Sequence, residues 1–238
     1  MNREVAPLVA GIAMIAFAVC VVIFVAGRAD VGGSDPFERA EVAAYLSNIE
    51  EGATATRVAF GSGVAIDALL VLLVAATTYS IFRDRSHWLA ALALSGFVAN
   101  AAISGVADGV GIVATFVADD FVNGGAGGLA PGDPSVRETG RILGMLLVIL
   151  TQIQVTPFAL AELAIGTLLV FAPAGRFNPP RFLGWMSIIS GGAGFIAWGT
   201  FVADFFFVFL VLNTVGSLIL FVGLGGWLVT HTGFAART

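Results

Sequence analysis

The sequence predicts an all-α, polytopic integral membrane protein: a bundle of six transmembrane helices with a short amphipathic outer helix after the first span. Two observations predict this fold class. Of the 238 residues, 58% are hydrophobic and only 11% are charged, which is too apolar for a water-soluble domain of this size. The apolar residues also form uncharged runs of about 20 residues, the length that a helix needs to cross a bilayer.

Charged or helix-breaking segments bound each apolar run. The fourth run is longer than a span requires, and tilt or a kink at Pro157 would absorb the excess, because proline removes a backbone hydrogen bond. Ser135 and Glu138 have the spacing of a capping box, which predicts that this helix begins near Val136. We expect one membrane domain over residues 1–238, with spans at about 5–27, 58–82, 88–114, 138–172, 182–203 and 205–230.

A short helix is predicted in the loop after the first span. Asp35, Pro36 and Glu38 form a capping signature with proline in the first helical turn. Apolar residues then follow at helical spacing, namely Val42, Tyr45, Leu46 and Ile49. The pattern predicts an amphipathic helix over residues 36–50 that lies on the outer membrane face or caps the bundle. The alternative is a solvated helix that packs only on neighbouring loops.

The arginines indicate how the chain is oriented in the membrane. An even number of spans places both termini on one side, and the short basic loop from Arg83 to Arg85 favours the cytoplasm for that side. Because the chain lacks lysine, all 11 basic residues are arginine. On this assignment the inner side holds Arg3, Arg83, Arg85, Arg176, Arg181 and Arg237, and the outer side holds Arg28, Arg39, Arg57, Arg137 and Arg141. We therefore expect a multi-pass protein of the cell membrane with both termini cytoplasmic.

Three carboxylates lie inside the apolar runs: Asp67, Asp108 and Glu162. An ionised carboxylate in hydrocarbon costs several kcal/mol, so each must be protonated, hydrogen-bonded, hydrated or bound to a cation. Asn100, Ser104 and Asp108 recur every fourth residue and so share one helix face.

Gln154 and Glu162 share a face of the fourth helix, and Asn213 and Ser217 offer another polar face on the sixth. The sequence therefore predicts a ligand- or ion-binding site formed by six side chains: Asp67, Asn100, Ser104, Asp108, Gln154 and Glu162.

Three functions are compatible with such a site. The preferred hypothesis is a non-enzymatic protein that binds or translocates a proton, a cation or a small solute through an outward-open polar cavity. The alternative is a structural or regulatory subunit of a membrane complex, whose buried acids only hold helices together by hydrogen bonds. The second alternative is an intramembrane enzyme. Expected partners are the lipid bilayer, a small solute or cation, and other membrane subunits or a second copy; a net charge of −5 argues against nucleic acid.

The chain lacks the residues of common intramembrane enzymes. His87 and His231 both fall at the inner ends of spans, so neither a zinc-protease motif nor a haem pair in mid-membrane is expected. The single cysteine, Cys20, excludes an intrachain disulfide. We therefore predict no catalytic residue and no metal ligand, and the sequence identifies no cofactor.

Several of these features occur together in one group of proteins. The first span, the acidic amphipathic segment, and the stretch from Arg57 to Asn100 with Asp67 and the short turn at Arg83 resemble an uncharacterised six-helix family of bacterial and archaeal membrane proteins. The resemblance implies a prokaryotic six-helix membrane protein and covers most of the chain. It implies no activity and no functional residue.

Overall fold

The computed structural model describes residues 5–28, 35–63, 68–125, 128–173, 177–197, 199 and 207–231. These residues form helices, turns and connecting segments, without a strand among them, so the all-α class is confirmed. The eight helices are α1 (Val5–Arg28), α2 (Val42–Glu51), α3 (Ala53–Ser62), α4 (Ala68–Phe82), α5 (His87–Asn123), α6 (Pro134–Phe171), α7 (Arg181–Ile196) and α8 (Phe207–His231).

Four helices are long and apolar enough to cross a membrane: α1, α5, α6 and α8. The other two predicted spans do not reach that length within the described residues. The apolar helix α4 has 15 residues and α7 has 16. Residues 64–67, before α4, and most of residues 198–206, after α7, lie outside the described part of the chain. The described residues therefore contain four membrane-length helices rather than six, which is compatible with a helical membrane bundle.

Large apolar side chains cover much of the surface of these helices. Ile12 and Val22 of α1 are 55% and 53% exposed, and Val215 and Val222 of α8 are about equally exposed. A soluble monomer rarely tolerates continuous apolar surface, whereas lipid tails solvate it well. The exposed apolar faces therefore agree with a location in the bilayer.

The chain divides into two compact units, and α1, α4, α5 and α6 contribute residues to both, α4 only through Ala68. The first unit comprises Met1–Val19, Leu69–Ala102 and Gln152–Thr238, and the second comprises Cys20–Ala68 and Ile103–Thr151. The expectation of a single domain stays a prediction.

Aromatic rings form the centre of the first unit. One phenylalanine from each of four helices takes part: Phe17 of α1, Phe97 of α5, Phe158 of α6 and Phe221 of α8. The Phe17 and Phe221 rings meet edge to face with centroids 5.1 Å apart, and Phe158 lies 5.7 Å from Phe97. Such tilted pairs avoid the repulsion of stacked π faces and stabilise the contact between the helices.

The amphipathic helix α2 belongs to the second unit, and its apolar face is buried. Val42, Tyr45, Leu46 and Ile49 form a cluster with Ala118 of α5, and Phe121 packs against it. The alternative of a helix that packs only on loops is therefore wrong.

The start of α2 also differs from the prediction. Residues 36–41 form turns, and the helix begins at Val42. The Asp35 side chain accepts a hydrogen bond from the Phe37 N–H, and the Glu41 carboxylate accepts one from the Asp35 N–H. The capping signature is thus used to close a turn.

Helix α6 begins two residues earlier than predicted. The helix begins at Pro134, and Asp133 Oδ1 accepts hydrogen bonds from the backbone N–H and the hydroxyl of Ser135. These bonds hold the pKa of Asp133 below its usual range. Glu138 instead binds Arg141, so the expected capping box is replaced by an aspartate cap.

The short loop between α4 and α5 contacts the end of α6 inside the first unit. Arg85 donates hydrogen bonds to the carbonyl oxygens of Pro173, at 2.8 Å, and Ala172, at 3.1 Å. Burial, with a smaller effect of Arg181, lowers the pKa of Arg85. The guanidinium thus satisfies carbonyl groups that the end of a helix leaves free.

Candidate functional site

Glu162 of α6 is the most enclosed ionisable group among the described residues, with 0% of its surface exposed. Its carboxyl oxygen Oε2 accepts hydrogen bonds from the hydroxyl of Ser190 of α7, at 2.8 Å, and from the amide nitrogen of Asn213 of α8, at 3.0 Å. Helices α6, α7 and α8 therefore meet at this carboxyl group.

Further hydrogen bonds connect the partners of Glu162. The Asn213 amide also donates to the carbonyl oxygen of Ser190, at 2.9 Å. The Ser190 and Ser217 hydroxyl oxygens are 3.1 Å apart. The Ser217 hydroxyl donates to the backbone carbonyl oxygen of Asn213 at 2.6 Å. We call these four residues, Glu162, Ser190, Asn213 and Ser217, the Glu162 cluster.

The two carboxyl oxygens of Glu162 differ in their surroundings. Oε2 has two donors, whereas Oε1 is buried and has no hydrogen-bond partner within the described residues. Leaving a buried polar atom unsatisfied costs about 1–3 kcal/mol, and more when the group carries a charge. The partners of Oε2 are uncharged, so the cluster itself supplies no cation to balance an ionised carboxylate.

Helical spacing places the polar residues of α7 and of α8 on shared faces of their own helices. Asn213 and Ser217 are four residues apart on α8, so both face the same neighbour. On α7, Ser187 precedes Ser190 by one turn and donates to the backbone oxygen of Glu162 at 2.6 Å.

Glycines allow the three helices to approach each other. A Cβ atom at Gly194 would lie 3.0 Å from Asn213 Nδ2, and one at Gly216 would lie 2.7 Å from Ser190 Cβ. The polar contacts therefore depend on small residues at these two positions, as is common between membrane helices.

Two more of the predicted site residues contact each other in the first unit. Asn100 of α5 is buried, and its amide donates to the backbone oxygen of Gln154 of α6 at 3.0 Å. The side-chain oxygen of Gln154 is buried and has no partner among the described residues. No hydrogen bond described in the structure joins this pair to the Glu162 cluster.

Two of the remaining predicted residues belong to the second unit. Ser104 and Asp108 of α5 are both buried. A Cβ atom at Gly63 would lie 2.6 Å from Asp108 Oδ2, so the carboxyl group is packed against the end of α3. Asp67 lies outside the described residues. The six-residue site therefore stays a prediction as a whole.

Sequence reasoning placed Glu162 in the site but left out its partners. Asn213 and Ser217 carry a signal, since they form a polar face in an apolar run, although nothing in the sequence pairs that face with Glu162. Ser187 and Ser190 carry almost none, because isolated serines are common in membrane helices.

The described residues hold no group of three or more His, Cys, Asp and Glu side chains that could bind a metal ion. The Glu162 cluster instead offers carboxyl, hydroxyl and carbonyl oxygens. Oxygen ligands of this kind suit a proton or a hard cation.

The protein was compared with known families, proteins and structures. No family model matches the sequence, no curated protein matches it, and no solved structure matches the fold.

Proposed function

We propose that this protein is a non-enzymatic, multi-pass protein of the cell membrane that binds or translocates a proton or a small cation at Glu162. The observation that carries the proposal is the asymmetry of the Glu162 carboxyl group: Oε2 accepts two hydrogen bonds, and the buried Oε1 has no partner among the described residues. The free oxygen marks the position at which an occupant would relieve the cost of burial.

A proton is the simplest occupant. Protonation of Oε1 removes the charge, which would otherwise be expensive in a region of low dielectric constant. The groups that contact the carboxyl group from α7 and α8 are the hydroxyls of Ser190 and Ser217 and the amide of Asn213, which do not titrate near neutral pH. Any ionisation at this position therefore belongs to Glu162 itself.

A small cation is the second possible occupant. The oxygens of Glu162, Ser190 and Ser217 and the carbonyl of Asn213 lie within one hydrogen-bonded group. Carbonyl oxygens bind sodium-like cations directly, and hydroxyl oxygens do so when their protons turn away. Because Glu162 and Ser190 are fully buried, such a site fits a monatomic ion better than a larger solute.

Thermal unfolding of the purified protein in detergent tests the proposal. We expect the unfolding midpoint of the wild type to depend on pH or on sodium concentration at constant ionic strength, and the Glu162→Gln variant to lose that dependence. If the occupant is a proton, wild-type stability falls as the pH rises, because loss of the proton leaves an ionised carboxylate buried. Glu51→Gln, which changes an exposed acid at the end of α2, is the matched control and should behave as the wild type does.

The structural hypothesis remains the second candidate, and one observation favours it. The Glu162 cluster connects three helices by direct hydrogen bonds, as expected of polar groups that only hold a bundle together. In that case an amide replaces a neutral carboxyl group with little effect. Wild-type and Glu162→Gln curves that superimpose at every pH and sodium concentration would reject the transport proposal in favour of the structural one.

Six membrane crossings with both termini in the cytoplasm complete the proposal. Two observations support it. Residues 53–82 hold two helices separated only by residues 63–67, and α7 is followed by apolar sequence that leads to α8. Each segment has the length and composition to complete a span. The bilayer is then the main partner, and other membrane subunits or a second copy are further partners that we propose on composition alone.

A further inference from the structure

A cavity of about 380 Å³ lies in the second unit, and none of its lining residues belongs to the site residues discussed above. Its lining comes from the turn before α2, from the start of α2 and from the first turns of α6. The lining residues are Arg39, Val42, Arg137, Glu138 and Arg141. Three arginines and one acid give this cavity a positive charge, in a chain whose net charge is −5.

The single acid in the cavity is already neutralised. Arg141 Nε lies 3.1 Å and 3.0 Å from the two carboxyl oxygens of Glu138, and Arg141 Nη2 lies 2.6 Å from Oε1. Arg141 Nη1 contacts the sulfur of Met145 at 3.2 Å. Most donors of Arg141 are therefore used inside the protein.

Within the described residues, Arg39 and Arg137 lack hydrogen bonds of the kind that Arg141 forms. Both side chains are exposed, and neither forms a salt bridge or a side-chain hydrogen bond with another described residue, although both attract the nearby Glu138 carboxylate electrostatically. Glu138 balances only one of the three arginine charges, so the cavity keeps an excess of positive charge.

We propose that this cavity binds a phosphate group, through Arg39 and Arg137. A guanidinium group presents paired N–H donors that match two phosphate oxygens, and such charge-assisted bonds are stronger than neutral ones. A cavity of about 380 Å³ accommodates a phosphate with a small substituent. The phosphate belongs either to a lipid headgroup or to a soluble phosphate compound, because the arginines recognise the same oxygens in both.

The placement of the cavity favours contact with a membrane surface. Arg137 and Arg141 lie in the first two turns of α6, one of the helices long enough to cross a membrane. Arginine at the end of a membrane helix lies at the depth of the lipid phosphates. Val42 adds an apolar wall to the cavity, which suits the glycerol part of a lipid.

Thermal unfolding of the full-length protein in a neutral detergent tests the site. Three probes are added in separate titrations: inorganic phosphate, phosphatidylglycerol, and a phosphate-free galactolipid with the same acyl chains. We expect phosphatidylglycerol to raise the unfolding midpoint saturably and the galactolipid not to do so. Saturable stabilisation by inorganic phosphate as well would identify a soluble phosphate as a source, and stabilisation by the lipid alone would identify the headgroup.

A charge-matched pair of double variants separates binding from general attraction. Arg39→Gln with Arg137→Gln removes the two free guanidinium groups, and we expect the half-saturating concentration to rise about tenfold or more, as the loss of charged hydrogen bonds implies. Arg83→Gln with Arg181→Gln removes the same charge from exposed positions outside the cavity and should leave that concentration unchanged.

Three results would overturn the proposal: a wild type that no phosphate-bearing probe stabilises, a cavity variant that binds as the wild type does, or a control variant that loses as much affinity as the cavity variant. Because Arg39 and Arg137 are exposed, their replacement should not prevent folding, and each single variant can be measured if the double variant is poorly expressed.

Discussion

Asn213 hydrogen-bonds to the buried carboxyl group and to a second helix at the same time. Its amide donates to Glu162 Oε2 and to the backbone oxygen of Ser190, so its removal affects both α6 and α7. We expect Asn213→Ala to lower the free energy of unfolding by about 1–3 kcal/mol, because two buried acceptors lose a donor. Chemical denaturation in mixed micelles measures the difference.

Thr214 provides the control for this prediction. Within the described part of the chain, its hydroxyl donates only to the Leu210 oxygen of its own helix, at 3.0 Å. Thr214→Ala should therefore change the unfolding free energy by no more than about 0.5 kcal/mol. Equal stability of Asn213→Ala and the wild type would mean that the Glu162 cluster contributes little to packing.

Sequence alone identifies Glu162 but not the geometry around it. A carboxylate in a long apolar run has few physical explanations, so its type and position are sufficient to single it out. Its partners Ser190 and Asn213 lie 28 and 51 residues further along the chain. The packing of three helices together decides which of their faces meet. The periodicity of one helix does not show which face of another helix it contacts.

Helix α8 requires glycine where it contacts α7, at Gly216, but not at Gly226, which faces open space. A Cβ atom at Gly216 would lie 2.7 Å from Ser190 Cβ and 3.0 Å from its hydroxyl oxygen, whereas one at Gly226 would meet nothing within 4 Å. We expect Gly216→Ala to destabilise the protein by about 1–3 kcal/mol through overpacking. Gly226→Ala should be neutral or stabilise it by up to about 1 kcal/mol, because alanine favours the helix.

Unfolding of the two glycine variants side by side separates close packing from helix propensity. A loss of stability in both would show that the loss is unrelated to the distance from Ser190. A gain in both would mean that α7 and α8 can move apart at no cost.

Helix α2 offers a second test of packing between elements. Leu46 has 0% of its surface exposed and lies in the cluster with Ala118, while the neighbouring Ser47 is exposed. We expect Leu46→Asp to lower stability by about 3 kcal/mol or more, because it removes a buried side chain and buries a charge. Ser47→Asp should have almost no effect. Unchanged thermal unfolding of Leu46→Asp would contradict the packing described for this helix.

The lengths of the helices show what apolar runs can and cannot predict. Within the described residues, α1 and α8 match the predicted spans 5–27 and 205–230 to within about two residues. By contrast, α5 continues to Asn123, beyond the predicted end at residue 114 and through Asp119 and Asp120. Acidic residues mark the edge of the bilayer but do not end a helix. Their backbone N–H and C=O groups form the same helical hydrogen bonds outside the membrane as inside it.

The number of membrane crossings is a property of the whole chain, and labelling decides it. Six crossings place Glu51 and Ser135 on the outer side and Asp84 on the inner side. If only α1, α5, α6 and α8 cross, Glu51 and Asp84 share one side and Ser135 lies on the other. The two arrangements thus differ in which pair of positions is labelled together.

We expect six crossings. In a Cys20→Ala background, the variants Glu51→Cys and Ser135→Cys should react with a membrane-impermeant maleimide added to intact cells, and Asp84→Cys should react only after the cells are opened. Asp84 has a side chain that is 87% exposed, so poor access would not explain its protection. Joint labelling of Glu51→Cys and Asp84→Cys from outside would support four crossings, because α4 and α7 would then remain on one side of the bilayer. Labelling of Asp84→Cys alone would retain six crossings but place both termini outside, which reverses the orientation that the arginines predict.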